Sequence, residues 1–127
     1  MCFRLRPEAA PELALTAERD RIVLCRVDWH DARQRWLLTP SGLLRPCVTS
    51  LAVALRGIDV VLAAVRPTDR WALRHGLLRH LGTGLVLRPE HLAPIPGSQV
   101  LVGPSTGTDS QRWFAHPAAS PRIKEIL

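Results

Sequence analysis

Lysine is nearly absent from this chain of 127 residues. The chain has 16 arginines but one lysine, Lys124, and its formal net charge is +6. A P-loop needs a lysine that reaches the phosphates behind its glycines, and the glycine-containing segment 103–108 (GPSTGT) has none. The shortage of lysine therefore excludes a P-loop nucleotide hydrolase.

Cysteine is also scarce, with Cys2, Cys25 and Cys47 widely spaced. No CxxC or Cys/His spacing occurs, which excludes the usual structural zinc sites. An odd number of separated cysteines predicts free thiols in a reducing compartment, and so a cytoplasmic protein. The N-terminal segment lacks the apolar core of a secretory signal, and charges interrupt the apolar stretch 47–65. We therefore expect no membrane span.

Common catalytic motifs are missing as well. The sequence contains no GxSxG, no HExxH and no HxE…PCxxC pattern, which removes the standard serine hydrolase, metalloprotease and zinc deaminase constellations. These absences favour a protein that is not an enzyme and that needs no cofactor.

The length and composition that are present fit one folded unit. Apolar residues make up 46% of the chain and charged residues 22%, which is typical of a globular domain. We predict a single domain over 1–127, with a flexible loop at 103–112 and a C-terminal tail at 113–127. The sequence pattern predicts no internal repeat.

The first third of the chain alternates in the way of β-strands. Phe3 and Leu5 alternate with arginines, and residues 21–29 place Val23, Cys25, Val27 and Trp29 on one face. A polar break at 30–33 predicts a hairpin with residues 34–39.

Helical spacing follows in two places. Val48, Leu51 and Leu55 form one apolar stripe between Pro46 and Gly57, and a second helix is predicted from about Asp69 to Leu81. The apolar run 58–65 and residues 84–88 read as strands around that second helix. The sequence therefore predicts an α+β (or α/β) domain, in which an N-terminal hairpin precedes a helix and a βαβ unit on a mixed sheet.

The second predicted helix is also the centre of positive charge. Residues 66–88 hold five arginines and one acid, a net charge of +4. Arginines beside a tryptophan on one helix suit phosphate contact and base stacking. The predicted nucleic-acid-binding residues are Arg66, Arg70, Trp71, Arg74, Arg79 and Arg88.

Two partial resemblances point the same way. Residues 21–88 resemble the core of the PD-(D/E)XK nuclease fold in element order, with Asp20 at the first acid, although Cys25-Arg26-Val27 stands where that family has an acid and a lysine. Residues 59–127 resemble the psi subunit of the bacterial clamp loader in element order and in the tail HPAASPRIKEIL. Both resemblances imply a protein that handles nucleic acid.

Three functions follow from these observations. The first is a non-catalytic accessory subunit of a nucleic-acid-handling assembly. The second is a protein–protein interaction subunit, a hetero-oligomer whose basic face meets an acidic protein. The third is a metal-dependent hydrolase built on Asp28, His30 and Asp31, since Asp28 and His30 project to the same side of a strand.

Overall fold

Almost all of the ordered backbone in the computed structural model is β-strand, and the structure describes residues 2–117. The helical content of these residues is two single turns of 3₁₀ helix, Ala32–Gln34 and Asp109–Gln111. The twelve strands are β1 Phe3–Pro7, β2 Leu13–Glu18, β3 Arg21–Arg26, β4 Trp36–Leu38, β5 Leu44–Pro46, β6 Ala52–Arg56, β7 Asp59–Ala63, β8 Trp71–Arg74, β9 Leu77–His80, β10 Val86–Pro89, β11 Val100–Gly103 and β12 Trp113–Pro117.

The strands pair in a pattern that repeats three times along the chain. The hairpins β2–β3, β6–β7 and β10–β11 are equivalent, and so are the antiparallel pairs β4–β5, β8–β9 and β12–β1. The first set is joined by three matching backbone hydrogen bonds of 2.8–3.2 Å, which run from Leu24, Leu62 and Val102 to the neighbouring hairpin. The terminal strands thus complete the third unit by pairing with each other.

The core follows the same threefold arrangement. Each unit contributes four inward-facing side chains that are fully or almost fully buried. Burial of aliphatic and indole groups is the main driving force for folding, so equivalent positions must stay apolar in each unit. The four sets are Leu5/Leu44/Leu78, Leu15/Val53/Leu87, Leu24/Leu62/Val102 and Trp36/Trp71/Trp113.

The three buried tryptophans mark the repeat in the sequence. Each is the last residue of a triplet, Gln-Arg-Trp at 34–36 and 111–113 and Asp-Arg-Trp at 69–71. The indole Nε1 of Trp36 donates to the carbonyl of Leu15, and Trp71 and Trp113 make the equivalent bonds in their own units, all at 2.8–3.1 Å. A buried indole needs such an acceptor. The chain therefore does contain an internal repeat, contrary to the expectation from its pattern.

A disulfide joins two of the three cysteines. Cys2, just before β1, is bonded to Cys47, just after β5, and Cys25 is free. The prediction of three free thiols is wrong, because the fold brings together two residues 45 positions apart. No sequence spacing reveals such a pairing.

The predicted α+β architecture is wrong as well. Residues 69–81 form the hairpin β8–β9, with the turn at His75-Gly76, instead of a helix. A two-residue turn shifts the alternation of a strand, so the inward Trp71, Leu73 and Leu78 imitate a helical period. The other predicted helix, between Pro46 and Gly57, overlaps β6. Three successive residues of that strand, Ala52, Val53 and Ala54, are buried, so its sequence lacks the alternation of apolar and polar residues that indicates a strand.

The predicted parallel βαβ unit is absent from the described residues for the same reason. Strand β7 pairs antiparallel with β6, β3 and β11, and β10 pairs antiparallel with β9 and β11. The element orders that suggested a nuclease or clamp-loader likeness therefore do not occur in residues 2–117. The predicted C-terminal tail lies outside the described residues from 118 onward, and its first part, 113–117, is β12. No helix within residues 2–117 has the length and apolar character that crossing a membrane demands.

Candidate functional site

Three surface loops occupy equivalent places, each between the second strand of a hairpin and the following tryptophan triplet. They are loop 1 (27–33), loop 2 (64–68) and loop 3 (104–110). Loops on a rigid sheet framework commonly carry binding residues. Differences between these three loops therefore indicate where a ligand can bind.

Buried glutamines hold loops 1 and 3 in the same way. Gln34 donates through Nε2 to the carbonyl of Arg26 at 2.8 Å and accepts from the amide of Asp28 at 2.9 Å. Gln111 makes the matching bonds to Pro104 and Thr106, both at 2.7 Å. Each amide satisfies two backbone groups that would otherwise lose their partners, which fixes the loop against the core.

Loop 2 is shorter and is held by an acid. Asp69 replaces the glutamine and is buried. Its Oδ2 accepts from Arg66 Nε at 2.6 Å, and its Oδ1 lies 3.1 Å from His80 Nε2. The other imidazole nitrogen lies 3.0 Å from the hydroxyl of Thr83, and the Trp71 ring meets His80 edge-on at 5.0 Å. This network is structural, because it closes the loop against β9.

The charge of Asp69 is retained in this environment. Burial by itself would raise its pKa, but hydrogen bonds from Arg66 and His80 and the positive charge of Arg66 outweigh burial and lower the pKa below its ordinary value. Asp69 is therefore ionised at neutral pH.

Loop 1 is distinguished by an exposed tryptophan. The side chain of Trp29 is 54% exposed, whereas the three triplet tryptophans are at most 3% exposed. The buried guanidinium of Arg4 lies 4.6 Å from the centre of the Trp29 ring, and its Nη2 donates to the Trp29 carbonyl at 2.6 Å. Burial and the neighbouring charge of Arg35 lower the pKa of Arg4. The cation–π contact orients the indole, and the high exposure leaves ring surface open to solvent.

Two carboxylates flank this tryptophan. Asp28 Oδ1 accepts from the amide of His30 at 2.9 Å, and Asp31 forms a two-point ion pair with Arg33 at 2.8 and 3.1 Å. The hydrogen bond from the Arg33 side chain lowers the pKa of Asp31. Loop 1 thus contains an exposed indole and two carboxylates that are fixed by hydrogen bonds.

The metal-site hypothesis for Asp28, His30 and Asp31 is wrong. Asp28 is turned to the backbone of its own loop and Asp31 to Arg33. Among residues 2–117, no three His, Cys, Asp or Glu side chains are grouped as a metal site requires.

Loop 3 borders an open hollow of about 660 Å³ with a different lining. The hydroxyls of Thr106, Thr108 and Ser110 are bonded in sequence at 2.7–2.8 Å, and the exposed Leu92 forms another wall. No aromatic side chain lines this hollow or lies in loop 2. Among the three loops, loop 1 is therefore the candidate site.

The structure scatters most of the residues predicted to bind nucleic acid. Trp71 is a core residue, Arg66 is paired with Asp69, and Arg70 lies half-buried against Gly42. Arg88 borders the hollow at loop 3. Arg74 and Arg79 are brought together on the outer face of the β8–β9 hairpin, beside His75.

Sequence reasoning did not select Arg4 and Trp29 as site residues. Arg4 lies 25 positions from Trp29 in the chain, so their contact has no local signal. The position of loop 1 did have one, because the recurring Gln-Arg-Trp triplet marks the loop that precedes it.

Comparison with solved structures identifies the fold. The C-terminal half of an earthworm R-type lectin, solved with GalNAc, superposes with a TM-score of 0.81 at 14% identity, over 91% of this chain and 97% of that one. A homologue of type II ribosome-inactivating proteins (RIPs) from bitter gourd (Momordica charantia), solved with α-methyl-D-galactoside, gives a TM-score of 0.76 at 16% identity. The superposition covers 91% of this chain and 47% of that one. A designed threefold-symmetric protein, ThreeFoil, gives 0.76 at 20% identity, over 91% and 98%.

Sequence comparison adds nothing to this. No protein-family model and no curated protein matches the chain.

The accessory-subunit prediction is wrong on two grounds. The arginine-bearing helix on which it rested is a β-hairpin with a buried tryptophan. The fold is shared with proteins solved in complex with sugars, and nothing in the comparisons supports nucleic acid or an acidic protein as partner. The threefold strand pattern, the three tryptophan triplets and these superpositions together show that the chain has a β-trefoil fold of the kind found in R-type lectins.

Proposed function

We propose that this protein binds a saccharide at loop 1, with Trp29 as the stacking platform. The observation that carries the proposal is an exposed indole held in place by Arg4 and flanked by Asp28 and Asp31. A pyranose ring has apolar C–H faces and a rim of hydroxyls. An oriented indole suits the C–H face, and carboxylate oxygens accept from hydroxyls.

Galactose and GalNAc are the sugars that fit this arrangement best. Their axial 4-hydroxyl leaves one face of the ring with a continuous patch of C–H groups, which glucose lacks. Two of the structures with the same fold were solved with GalNAc and with α-methyl-D-galactoside. Pre-orientation of Trp29 by Arg4 lowers the entropy that the ring would lose on binding.

Tryptophan fluorescence provides the direct test. Trp29 is the exposed tryptophan among the four in the chain, so its emission should dominate the red edge of the spectrum. Titration with α-methyl-D-galactoside or GalNAc should shift that edge to the blue, and α-methyl-D-glucoside should do so at least about tenfold less effectively, a difference of about 1.4 kcal/mol.

Calorimetry on variants locates the site. Trp29→Ala should weaken binding of the galactoside at least about tenfold, while Phe114→Ala, which removes an exposed aromatic ring from β12, should leave it unchanged. Galactoside binding that survives Trp29→Ala, or no binding of either sugar to the folded protein, would refute the proposal.

A further inference from the structure

The outer face of the β8–β9 hairpin contains a hollow that the saccharide proposal does not use. Its volume is about 420 Å³, which lies in the range of small-molecule sites. The side chains that line it are three apolar and three basic, and none is a carboxylate. They are Ala72, Leu77, Leu81, Arg74, His75 and Arg79.

One position of the internal repeat accounts for the space at this hairpin. Ala72 directly follows the triplet tryptophan of its unit, and the residues at the same position in the other units are Leu37 and Phe114. Both are much larger than alanine. The missing side-chain volume at Ala72 is therefore specific to this hairpin.

The positive charge of Arg74 is specific to this hairpin, whereas Arg79 has Arg6 and Arg45 at its place in the other units. Arg74 stands three residues after the triplet tryptophan, where the other units have Thr39 and His116. Arg74 is exposed, and the side chains that line the hollow offer it no acid. Arg79 donates through Nη1 to the carbonyl of Gly84 at 2.6 Å, which anchors the guanidinium and leaves its other N–H groups available.

The apolar side of the hollow includes an exposed leucine. Leu81 is 55% exposed, and Leu77 and Ala72 continue the apolar wall. His75 completes the rim from a left-handed backbone conformation with φ of 53°, which is uncommon for a residue other than glycine. The conformation is that of the two-residue hairpin turn at His75-Gly76, in which both residues have positive φ.

We propose that this hollow binds a small organic anion, whose sulfate or carboxylate head lies between Arg74 and Arg79 and whose apolar body lies over Leu77 and Leu81. Guanidinium groups pair with such heads in two-point geometry. An apolar chain covers the leucines that would otherwise face water. The inference stands on the β8–β9 face alone and is independent of saccharide binding at loop 1.

Three matched probes test the chemistry by chemical-shift mapping on the ¹⁵N-labelled protein, below their micelle concentrations. Octyl sulfate has both head and chain, inorganic sulfate has the head alone, and octyl β-glucoside has the chain with an uncharged head. Octyl sulfate should shift the amides of residues 72–81 and bind at least about tenfold more tightly than either partial probe.

Two variants copied from the other units test the site. Ala72→Phe adds side-chain volume to the hollow without a change of charge and copies Phe114, and Arg74→Thr copies Thr39. Each should weaken octyl sulfate binding at least about tenfold. Arg56→Thr removes one exposed positive charge from β6 and should leave binding unchanged.

Several results would overturn the proposal. Equal affinity for octyl sulfate and octyl β-glucoside would show that charge plays no part, and equal affinity for inorganic sulfate would show that the apolar wall plays none. Loss of binding in Arg56→Thr equal to that in Arg74→Thr would indicate net charge alone. If Ala72→Phe failed to fold, unchanged binding to Arg74→Thr would be sufficient to reject the site.

Discussion

Several of the arginines that dominate the composition occupy positions that recur in each of the three units. Six of the 16 occupy two threefold-related sets. The members of the first are the middle residues of the triplets and are half-buried, and those of the second donate to a carbonyl in the turn that follows their strand. The sets are Arg35/Arg70/Arg112 and Arg6/Arg45/Arg79. Positive charge in this sequence is therefore a weak indicator of an anionic polymer as partner.

Asp69 makes acid stability a prediction at the scale of one residue. Since its pKa is lowered in the folded protein, folding is favoured above the ordinary carboxyl pKa near 3.9. That contribution is lost as the pH falls from about 5 through the lowered pKa. Urea unfolding of the wild type between pH 7 and pH 3 should show this loss, and Asp69→Asn should show a shallower dependence.

Removal of the same carboxylate at neutral pH should be severe. Asp69→Ala leaves the buried His80 and the guanidinium of Arg66 without their acceptor, which we expect to cost about 3 kcal/mol of unfolding free energy. Asp31→Ala is the control, since the Asp31–Arg33 pair is more exposed than the Asp69–His80 pair, and should cost clearly less unfolding free energy than Asp69→Ala. Similar losses for the two variants would contradict a structural role for Asp69.

At the scale of elements, the turns of equivalent hairpins are formed by different residues. The β2–β3 turn begins with Arg19 at φ 62°, and the β6–β7 turn begins with Gly57 at φ 65°. The third hairpin replaces the short turn by residues 90–99. Arginine in the left-handed region carries a steric cost that glycine avoids.

The two turns predict opposite effects of substitution. Arg19→Gly should raise the unfolding free energy by up to about 1 kcal/mol, and Gly57→Ala should lower it by about 1 kcal/mol. Nothing lies within 4 Å of a Cβ built on Gly57, so the second cost is conformational and not a clash. Thermal unfolding followed by circular dichroism measures both, and a shift of the same sign in the two variants would contradict the argument.

At the scale of the whole molecule, the fold closes through the first and last strands of residues 2–117. β1 pairs with β12 over five residue pairs, and the disulfide attaches Cys2, at the start of β1, to Cys47. Disulfides persist in oxidising surroundings. A reducing compartment was predicted because all three cysteines were expected to be free thiols, and the disulfide contradicts that expectation. The cytoplasmic location stays a prediction without that support.

The disulfide should contribute strongly to stability. Its cysteines are 45 positions apart, and closing a loop of that length in the unfolded chain corresponds to about 4 kcal/mol by the chain-entropy model. Cys2→Ser together with Cys47→Ser should therefore lower the unfolding free energy by several kcal/mol in urea. Cys25→Ser, which removes the free thiol, should change it by less than about 1 kcal/mol, and an equal loss would refute the assignment.

The sequence predicted local strand character better than architecture. The alternation at 3–6 lies on β1, and the alternation predicted over 21–29 lies on β3 as far as Arg26, where that strand ends. The predicted helix from about Asp69 to Leu81 is wrong because Trp71, Leu73 and Leu78 imitate a helical period across a turn. Part of the candidate site could be predicted, since the polar cluster at 28–31 lies in loop 1. Arg4, which contacts Trp29 of that loop, could not be predicted because it lies 25 positions away in the sequence.

The sequence by itself determined a set of core residues that recurs three times. Three tryptophan triplets stand at 34–36, 69–71 and 111–113, and each is preceded by two buried aliphatic residues from the hairpin of its own unit. Only the tertiary structure decided which of these units differ in function. Exposure of Trp29 beside Arg4 and the hollow left by Ala72 depend on contacts between strands, and such contacts are set by packing around the threefold axis and not by neighbours along the chain.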